Sequence, residues 1–412
     1  MVYNFCMKFA RADKVVLTIL VLLHLLLVGL LLTRFLNFLF VDAALMVGPG
    51  SDFFSIYEAG NRFLHGLSLY VKDHAIARAP FFWNYRYLPF IGYSAGALLS
   101  KLPPFVAYYG WIFLNECLLG LNLYLTAKLA KTAKVFLVAA VPWLIFSPYL
   151  VELSVGQWSF LLASLIFWSI YGVLKNSKSI YAYVLAPLVK PNAFILLPYF
   201  LQLKKYRLLC WTAAATLITS APYFWYFHDF KNFVQINLVD DFYSRGGHFG
   251  FKSLYYLLTM QYLQLPAAKI WFWVFTAALL IFTLYATFRY RDKVASFALW
   301  ICCFFFIYKD VWEHHYVLFM PVFALLLIQA RATFGKLFSK KLLLLTIAFL
   351  LIALPSLFFT EYFFVPHFPV DPEKLNPFFV VLYHTLKISG VAALYLFSFL
   401  QLKNAHKKTT AR

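Results

Sequence analysis

A carboxylate opens the first long polar stretch of this chain, in the order Gly50-Ser51-Asp52-Phe53-Phe54-Ser55-Ile56-Tyr57-Glu58-Ala59-Gly60. Only 16 of the 412 residues are Asp or Glu, so an acid directly after a membrane-length apolar run calls for a physical reason. An ionised carboxylate there can serve as a general base that takes the proton of an attacking hydroxyl. It can also cap a helix, because a short acidic side chain accepts from the unpaired N–H groups of a first turn. The pattern leaves both readings open. Ser51 or Asp52 as the cap and Gly66 at the far end predict an interfacial helix over 53–65. Its spacing puts Asp52, Ser55, Ala59 and Arg62 on one stripe and Phe53, Ile56, Tyr57 and Leu64 on another.

Further polar segments interrupt apolar sequence. Tyr308 to Tyr316 contains Glu313, His314 and His315. Neighbouring residues of an α-helix point about 100° apart, so one ring, His314 or His315, is expected to face a cavity as a hydrogen-bonding or acid–base group. Two interfacial histidines are the alternative, and the spacing does not suit a metal pair. The stretch Glu152 to Trp158 sets Gly156-Gln157 between two apolar runs, and Lys190-Pro191-Asn192 interrupts the next. Each can be structural, as a turn or as a lysine that snorkels from a helix end. The stretch 227–252 holds Asp240, Asp241, Arg245, Gly246, Gly247, His248 and Lys252. Paired glycines beside Arg and His can wrap a phosphate, and the Asp pair can take a divalent cation; a solvated loop accounts for both. There is no dinucleotide fingerprint, phosphate loop or nucleophile elbow. No cofactor and no metal site are expected, with a divalent cation left open.

The elements that must position these residues are membrane helices. The chain is 63% hydrophobic and 13% charged, against about one quarter charged in soluble domains. The expected fold is an all-α polytopic membrane protein, a single domain over 1–412 with roughly ten to twelve spans of about 20 residues. The net charge of +20 comes in short clusters between apolar runs, which fits cytoplasmic loops and not a nucleic-acid partner. Lys8, Arg11 and Lys14 precede a run from Val15 to Thr33 that is too long for a signal peptide, so a first span with its N-terminus inside is expected.

With the basic clusters near 204–207, 289–293, 331–341 and 403–412 also inside, both termini are cytoplasmic. Residues 42–85 then form the first extracytoplasmic loop, and 227–252, 309–316 and 360–378 share its side. Residues 85–205 fit two topologies. The run 87–101 is short for a span, and Pro187, Pro191 and Pro198 break a later one, as in re-entrant helices that line a wet cavity. The five cysteines have neither metal-ligand spacing nor a disulfide context.

Several motifs recur in a fixed order: Asp52-Phe53-x-x-x-Tyr57-x-Ala59-Gly60, Gly66-x-x-x-Tyr70, Tyr85-Arg86-Tyr87-Leu88-Pro89, Gly156-Gln157, Lys190-Pro191 and Trp312-Glu313-His314-His315-Tyr316. Together, from about residue 50 to about residue 320, they resemble glycosyltransferase family 87, which includes polyprenol-phosphate-mannose-dependent α-1,2-mannosyltransferases of the GT-C superfamily. The resemblance implies a GT-C fold in a prokaryotic plasma membrane and an extracytoplasmic active site. It also implies inverting transfer of mannose, or another hexose or pentose, from a polyprenyl-phosphate donor to a hydroxyl of a glycan or glycolipid acceptor. It gives Asp52 the role of base and sets His314 or His315 in the same cavity.

On that reading, Lys190, Arg245, His248, Lys252 and Arg62 are the candidates for the donor phosphate. Tyr57, Arg86, Tyr87, Gln157 and Glu313 are the candidates for substrate contact, and Trp83, Tyr85 and Tyr87 can cradle isoprenoid or sugar rings. Two departures bear on donor or acceptor preference. The family's Tyr-Pro-Pro reads Tyr87-Leu88-Pro89, and an Asn-Gln-Ser stretch expected near 250 reads Gly250-Phe251-Lys252-Ser253. A transporter or flippase of an anionic lipid or glycan is the alternative. It would use Lys190 in a broken helix, but it would more often show repeat-related halves, which this sequence lacks.

Overall fold

The computed structural model describes residues 9–36, 48–71, 75–239, 250–309, 311–334, 340–355 and 377–410. Among the described residues every regular element is a helix and none is a strand. Four helices are long and apolar enough to cross a bilayer: Arg11–Leu32, Ala268–Arg289, Glu313–Ala330 and Thr385–Asn404. Ala133–Leu144 with Ser147–Val155 makes a fifth if that bent pair is one span. The chain is thus an all-α polytopic membrane protein. The expected ten to twelve full-length spans, however, are not found among the described residues. Much of the remaining apolar sequence lies in shorter helices, including Pro89–Leu99, Ser159–Lys175 and Lys293–Ile307.

Proline chemistry explains part of that shortening. From Lys178 to Gln202 the chain runs as a 3-10 turn (Lys178–Val184), a short helix (Ala186–Val189), a second 3-10 turn (Pro191–Leu196) and another short helix (Leu197–Gln202). Pro187, Pro191 and Pro198 each sit in the first two positions of a segment. Proline has no N–H to give a preceding turn, so each one starts a new segment instead of continuing the last. The interruption expected from sequence is present at all three.

The chain divides into two compact units. The first comprises residues 1–41, 121–150 and 243–412. In it Ala133–Leu144 packs against both Arg11–Leu32 and Phe319–Phe334, and Pro377–Thr410 lies along Lys340–Ala353 and Lys293–Ile307. Asp292 caps Lys293–Ile307 by accepting from the N–H groups of Val294 and Ala295 at 3.0 and 2.8 Å. Arg11–Leu32 leaves Val15, Ile19, Leu22, Leu25 and Leu26 about half exposed. An apolar stripe of that extent suits lipid and would be a liability in water.

The second unit comprises residues 42–120 and 151–242. Its centre is the helix Ser51–Leu64, which packs on Pro89–Leu99. The two backbones meet at glycines: a Cβ on Gly60 would fall 1.9 Å from the carbonyl carbon of Gly96. Such close crossings require small residues. Polar side chains of Ser51–Leu64 then hold the loop that follows. Glu58 Oε1 accepts from the N–H groups of Arg78 and Ala79 at 2.8 and 2.6 Å, and Asn61 Nδ2 donates to the Ile76 carbonyl at 2.8 Å. Tyrosines order its end: the Tyr70 hydroxyl donates to the Tyr87 carbonyl and the Tyr85 hydroxyl to the Leu88 carbonyl, at 2.8 and 2.5 Å.

Glu58→Ala orphans the Arg78 and Ala79 donors, and each buried donor left unmade costs about 1–3 kcal/mol. We expect this variant to unfold at a clearly lower temperature than the wild type and to be cut by protease first between residues 75 and 88. Unchanged unfolding and proteolysis would show that Glu58 does not hold this loop.

Candidate active site

Asp52 lies in the first turn of Ser51–Leu64, but it does not cap it. The cap is Gly50, which adopts the left-handed conformation at φ +79°. The reading of Ser51 or Asp52 as N-cap is therefore corrected: Gly50 reaches a backbone conformation costly for other residues. From Ser51 to Arg62 every residue except Asp52 is buried within the protein, while Leu64 is exposed. Asp52 is partly exposed, so a carboxylate is the one accessible position on an otherwise enclosed stretch of helix. The helix N-terminus favours its ionised form.

A turn fixes what stands beside it. The Gly50 N–H donates to the Ser154 carbonyl at 2.8 Å, which ties the start of this helix to the end of Ser147–Val155. The Tyr108 hydroxyl donates to the Leu153 and Ser154 carbonyls at 2.8 and 3.0 Å. The chain then reverses at Gly156, at φ +69°, where a Cβ would fall 2.5 Å from Cβ of Phe53. After the turn, Trp158 stacks on Trp111 with ring centres 4.1 Å apart, and Trp111 Nε1 donates to the Gln157 carbonyl at 3.2 Å.

Around this turn the second unit gathers its polar groups. The buried Tyr87 donates its hydroxyl to Gln157 Oε1, which also accepts from the Trp158 N–H at 3.1 Å. Burial, and next the charges of Asp52 and Glu152, push the Tyr87 phenol well above its ordinary value, so it stays a neutral donor. Glu152 is buried; its Oε1 accepts from the Phe160 N–H at 2.7 Å, at the start of Ser159–Lys175. Lys190, also buried, donates from Nζ to Ser159 Oγ at 2.7 Å and lies 5.6 Å from the centre of the Tyr87 ring. Both Lys190 and Asp52 act electrostatically on the Glu152 carboxylate. The result is a compact set of two acids, one ammonium, a phenol and a carboxamide, walled by stacked indoles.

Of the residues expected from sequence, the structure thus brings Tyr87, Gln157 and Lys190 together with Asp52. Arg86, beside Tyr87, is partly exposed. Two others have structural partners instead. Arg62 is buried, donates from Nη2 to the Leu69 carbonyl at 2.7 Å and lies over the Phe82 ring. Ten residues along a helix from Asp52, it stands about 15 Å away along the axis. The Tyr57 hydroxyl donates to the Leu102 carbonyl at 2.7 Å, so its polar end is engaged by the loop after Pro89–Leu99. Trp83 is exposed and Tyr85 is buried.

Glu313, His314, His315 and Lys252 belong to the first unit. The segment Glu313–Leu318 is a 3-10 turn and not an α-helix; neighbours there point about 120° apart, yet the two histidine ring centres lie 4.4 Å apart. His315 Nδ1 accepts from the Trp312 N–H at 2.9 Å. Glu313, expected at a substrate, forms a buried ion pair with Lys387 at 3.0 Å. Lys387 also donates to the Ile352 and Leu354 carbonyls at 2.8 and 2.9 Å. Lys252 is buried with its Nζ 5.2 Å from the Tyr256 ring centre. Asp240, Asp241, Arg245 and His248 lie outside the described residues. Among the described residues no group of three or more His, Cys, Asp or Glu is placed to hold a metal ion.

Two members of this polar set, Glu152 and Ser159, have no role in the sequence reading. For Glu152 the signal was present, an acid inside an apolar run; a serine such as Ser159 carries none.

The segment that carries Tyr87, Glu152, Gln157, Ser159 and Lys190 is also the one that matches a known family model. Residues 87–245 match the model of glycosyltransferase family 87. The resemblance read from the motifs is borne out over that span, whereas Asp52 and the histidine segment lie beyond it. No curated protein matches the chain. The family 87 match, on an all-helical chain with several candidate membrane-spanning helices, supports a membrane glycosyltransferase.

Gly156→Ala tests the turn that assembles this site. A side chain at φ +69° is strained, and its Cβ would overlap Phe53. We expect a lower unfolding temperature together with loss of sugar transfer in the folded fraction. Full activity would show that the turn does not position the site.

Proposed function

We propose that this protein is an inverting glycosyltransferase of the GT-C type that moves a sugar from a polyprenyl-phosphate donor to a hydroxyl of a lipid-linked or cell-envelope glycan, with Asp52 as the general base. The observation that carries the reading is the placement of Asp52: the one accessible residue between Ser51 and Arg62, beside groups of the family 87 segment.

In this mechanism the acceptor hydroxyl oxygen attacks the anomeric carbon from the face opposite the lipid phosphate. A bond forms from that oxygen to carbon as the bond from carbon to the phosphate oxygen breaks, and the electron pair leaves with the phosphate. The hydroxyl proton passes to Asp52, which later returns it to solvent. Polyprenyl phosphate is already a good leaving group, so the protein needs no strong acid. It needs positive charge where the phosphate develops its own. Lys190 is the described cation of the second unit that suits this role, since its ammonium stands among the same groups as Asp52. A single displacement inverts the anomeric centre and needs no protein nucleophile. The sugar is mannose or another hexose or pentose, by the resemblance to family 87.

Asp52→Asn keeps the shape of the side chain and leaves the Gly50 cap untouched. Transfer from a polyprenyl-phosphate sugar should fall by roughly 10²–10⁴-fold, the usual contribution of a general base. Unfolding should change by no more than about 1 kcal/mol, the typical contribution of an acid in a first turn. A folded Asp52→Asn protein that transfers at near the wild-type rate would remove Asp52 from the mechanism.

A further inference from the structure

Glu152 is a buried acid that the transfer mechanism leaves unused. One carboxylate oxygen is engaged: Oε1 takes the Phe160 N–H at 2.7 Å, at the N-terminus of the 17-residue helix Ser159–Lys175. That bond explains how an acid can sit here, because the helix start supplies both a donor and a favourable field. Lys190 adds an opposite charge. The second oxygen, Oε2, is buried and accepts from no donor among the described residues. A buried acceptor without a donor is costly, about 1–3 kcal/mol and more for a charged group, and native proteins contain few of them. A residue that served only to cap Ser159–Lys175 could have been a serine or aspartate next to the helix, without a second oxygen to desolvate.

The surroundings indicate what would satisfy it. Asp52 acts on the same carboxylate, and Tyr87, which donates to Gln157, feels both acids. Trp158 and Trp111 stack on one another after the turn, with ring centres 4.1 Å apart. An acceptor oxygen takes a donor, and the donors that a sugar carries are its hydroxyls.

We propose that Glu152 is a sugar-recognition residue of this site: it anchors one oxygen on the start of Ser159–Lys175 and accepts a hydroxyl of the transferred sugar with the other. The inference rests on the reading of the protein as a polyprenyl-phosphate-sugar transferase and adds the residue that distinguishes a sugar-bearing lipid from the lipid phosphate alone.

The test is equilibrium binding to the full-length protein in lipid nanodiscs. The probes are polyprenyl phosphate esters carrying mannose, glucose or arabinose, and the methyl ester of polyprenyl phosphate, which has the same single charge and no sugar. For the wild type, at least one sugar ester should bind about tenfold or more tightly than the methyl ester, as hydrogen bonds to fixed acceptors imply. In Glu152→Gln the amide oxygen can keep the Phe160 N–H while an N–H donor replaces the second acceptor, so that ratio should fall by roughly five- to tenfold. Glu152→Asp keeps the charge that Lys190 faces but withdraws the carboxylate by one methylene, and it should lose the preference as well. The ratio is read within each variant, so any change in phosphate affinity cancels.

A variant of either kind that folds and keeps the wild-type ratio overturns the proposal, as does a wild type that binds the methyl ester and every sugar ester equally. A wild type that binds none of the four lipids overturns the donor reading itself, and this inference falls with it.

Discussion

The hydrogen bond from the Gly50 N–H to the Ser154 carbonyl, 2.8 Å long, decides where Asp52 stands. It joins two helix ends that are distant in sequence, and it works only because the chain can turn at Gly156 without a side chain striking Phe53. The rest of the site follows from that junction. The first turn of Ser51–Leu64 is held beside the turn that carries Gln157 and Trp158, and Ser159–Lys175 starts where Glu152 can cap it. Lys190 reaches the same place because prolines split the segment around it and leave its backbone extended between two short elements. Lys190 itself is buried in the protein.

Charge is handled differently in the two units. In the first, Glu313 and Lys387 neutralise each other in a buried pair, and Lys387 gives its remaining donors to the carbonyls of Ile352 and Leu354. In the second unit two acids and an ammonium lie around one turn. Asp52 keeps partial access to solvent, and Glu152 keeps a carboxylate oxygen with no donor among the described residues. A partly accessible acid near an ammonium is an arrangement that a transferred sugar and its leaving phosphate can use. The segment that matches the family 87 model contains Glu152 and Lys190 but not Asp52.

Much of this is legible in the sequence. Composition points to the all-α membrane class, the order of short motifs to the family, and the prolines near Lys190 to the broken helix. What is not legible depends on partners far along the chain. The faces of Ser51–Leu64 read as amphipathic because Glu58, Asn61 and Arg62 are polar, yet all three are buried on loop backbone that no local pattern reveals. Gly50 escapes notice as a cap because serine and aspartate beside it are the commoner choice. His314 and His315 read as α-helical in spacing, whereas they lie in a 3-10 turn with ring centres 4.4 Å apart. Glu313 looks available because nothing nearby in sequence announces Lys387.

The stereochemistry of transfer bears most directly on the part played by Asp52. A single displacement, with Asp52 as base and no protein nucleophile, must give a product whose new glycosidic bond has the anomeric configuration opposite to that of the lipid-phosphate donor. Proton NMR of the product formed from a polyprenyl-phosphate sugar of known anomer reads this without any mutation. Inversion is the expected outcome. A product with the configuration retained would require a covalent or otherwise two-step route, and it would contradict a single displacement with Asp52 as its base.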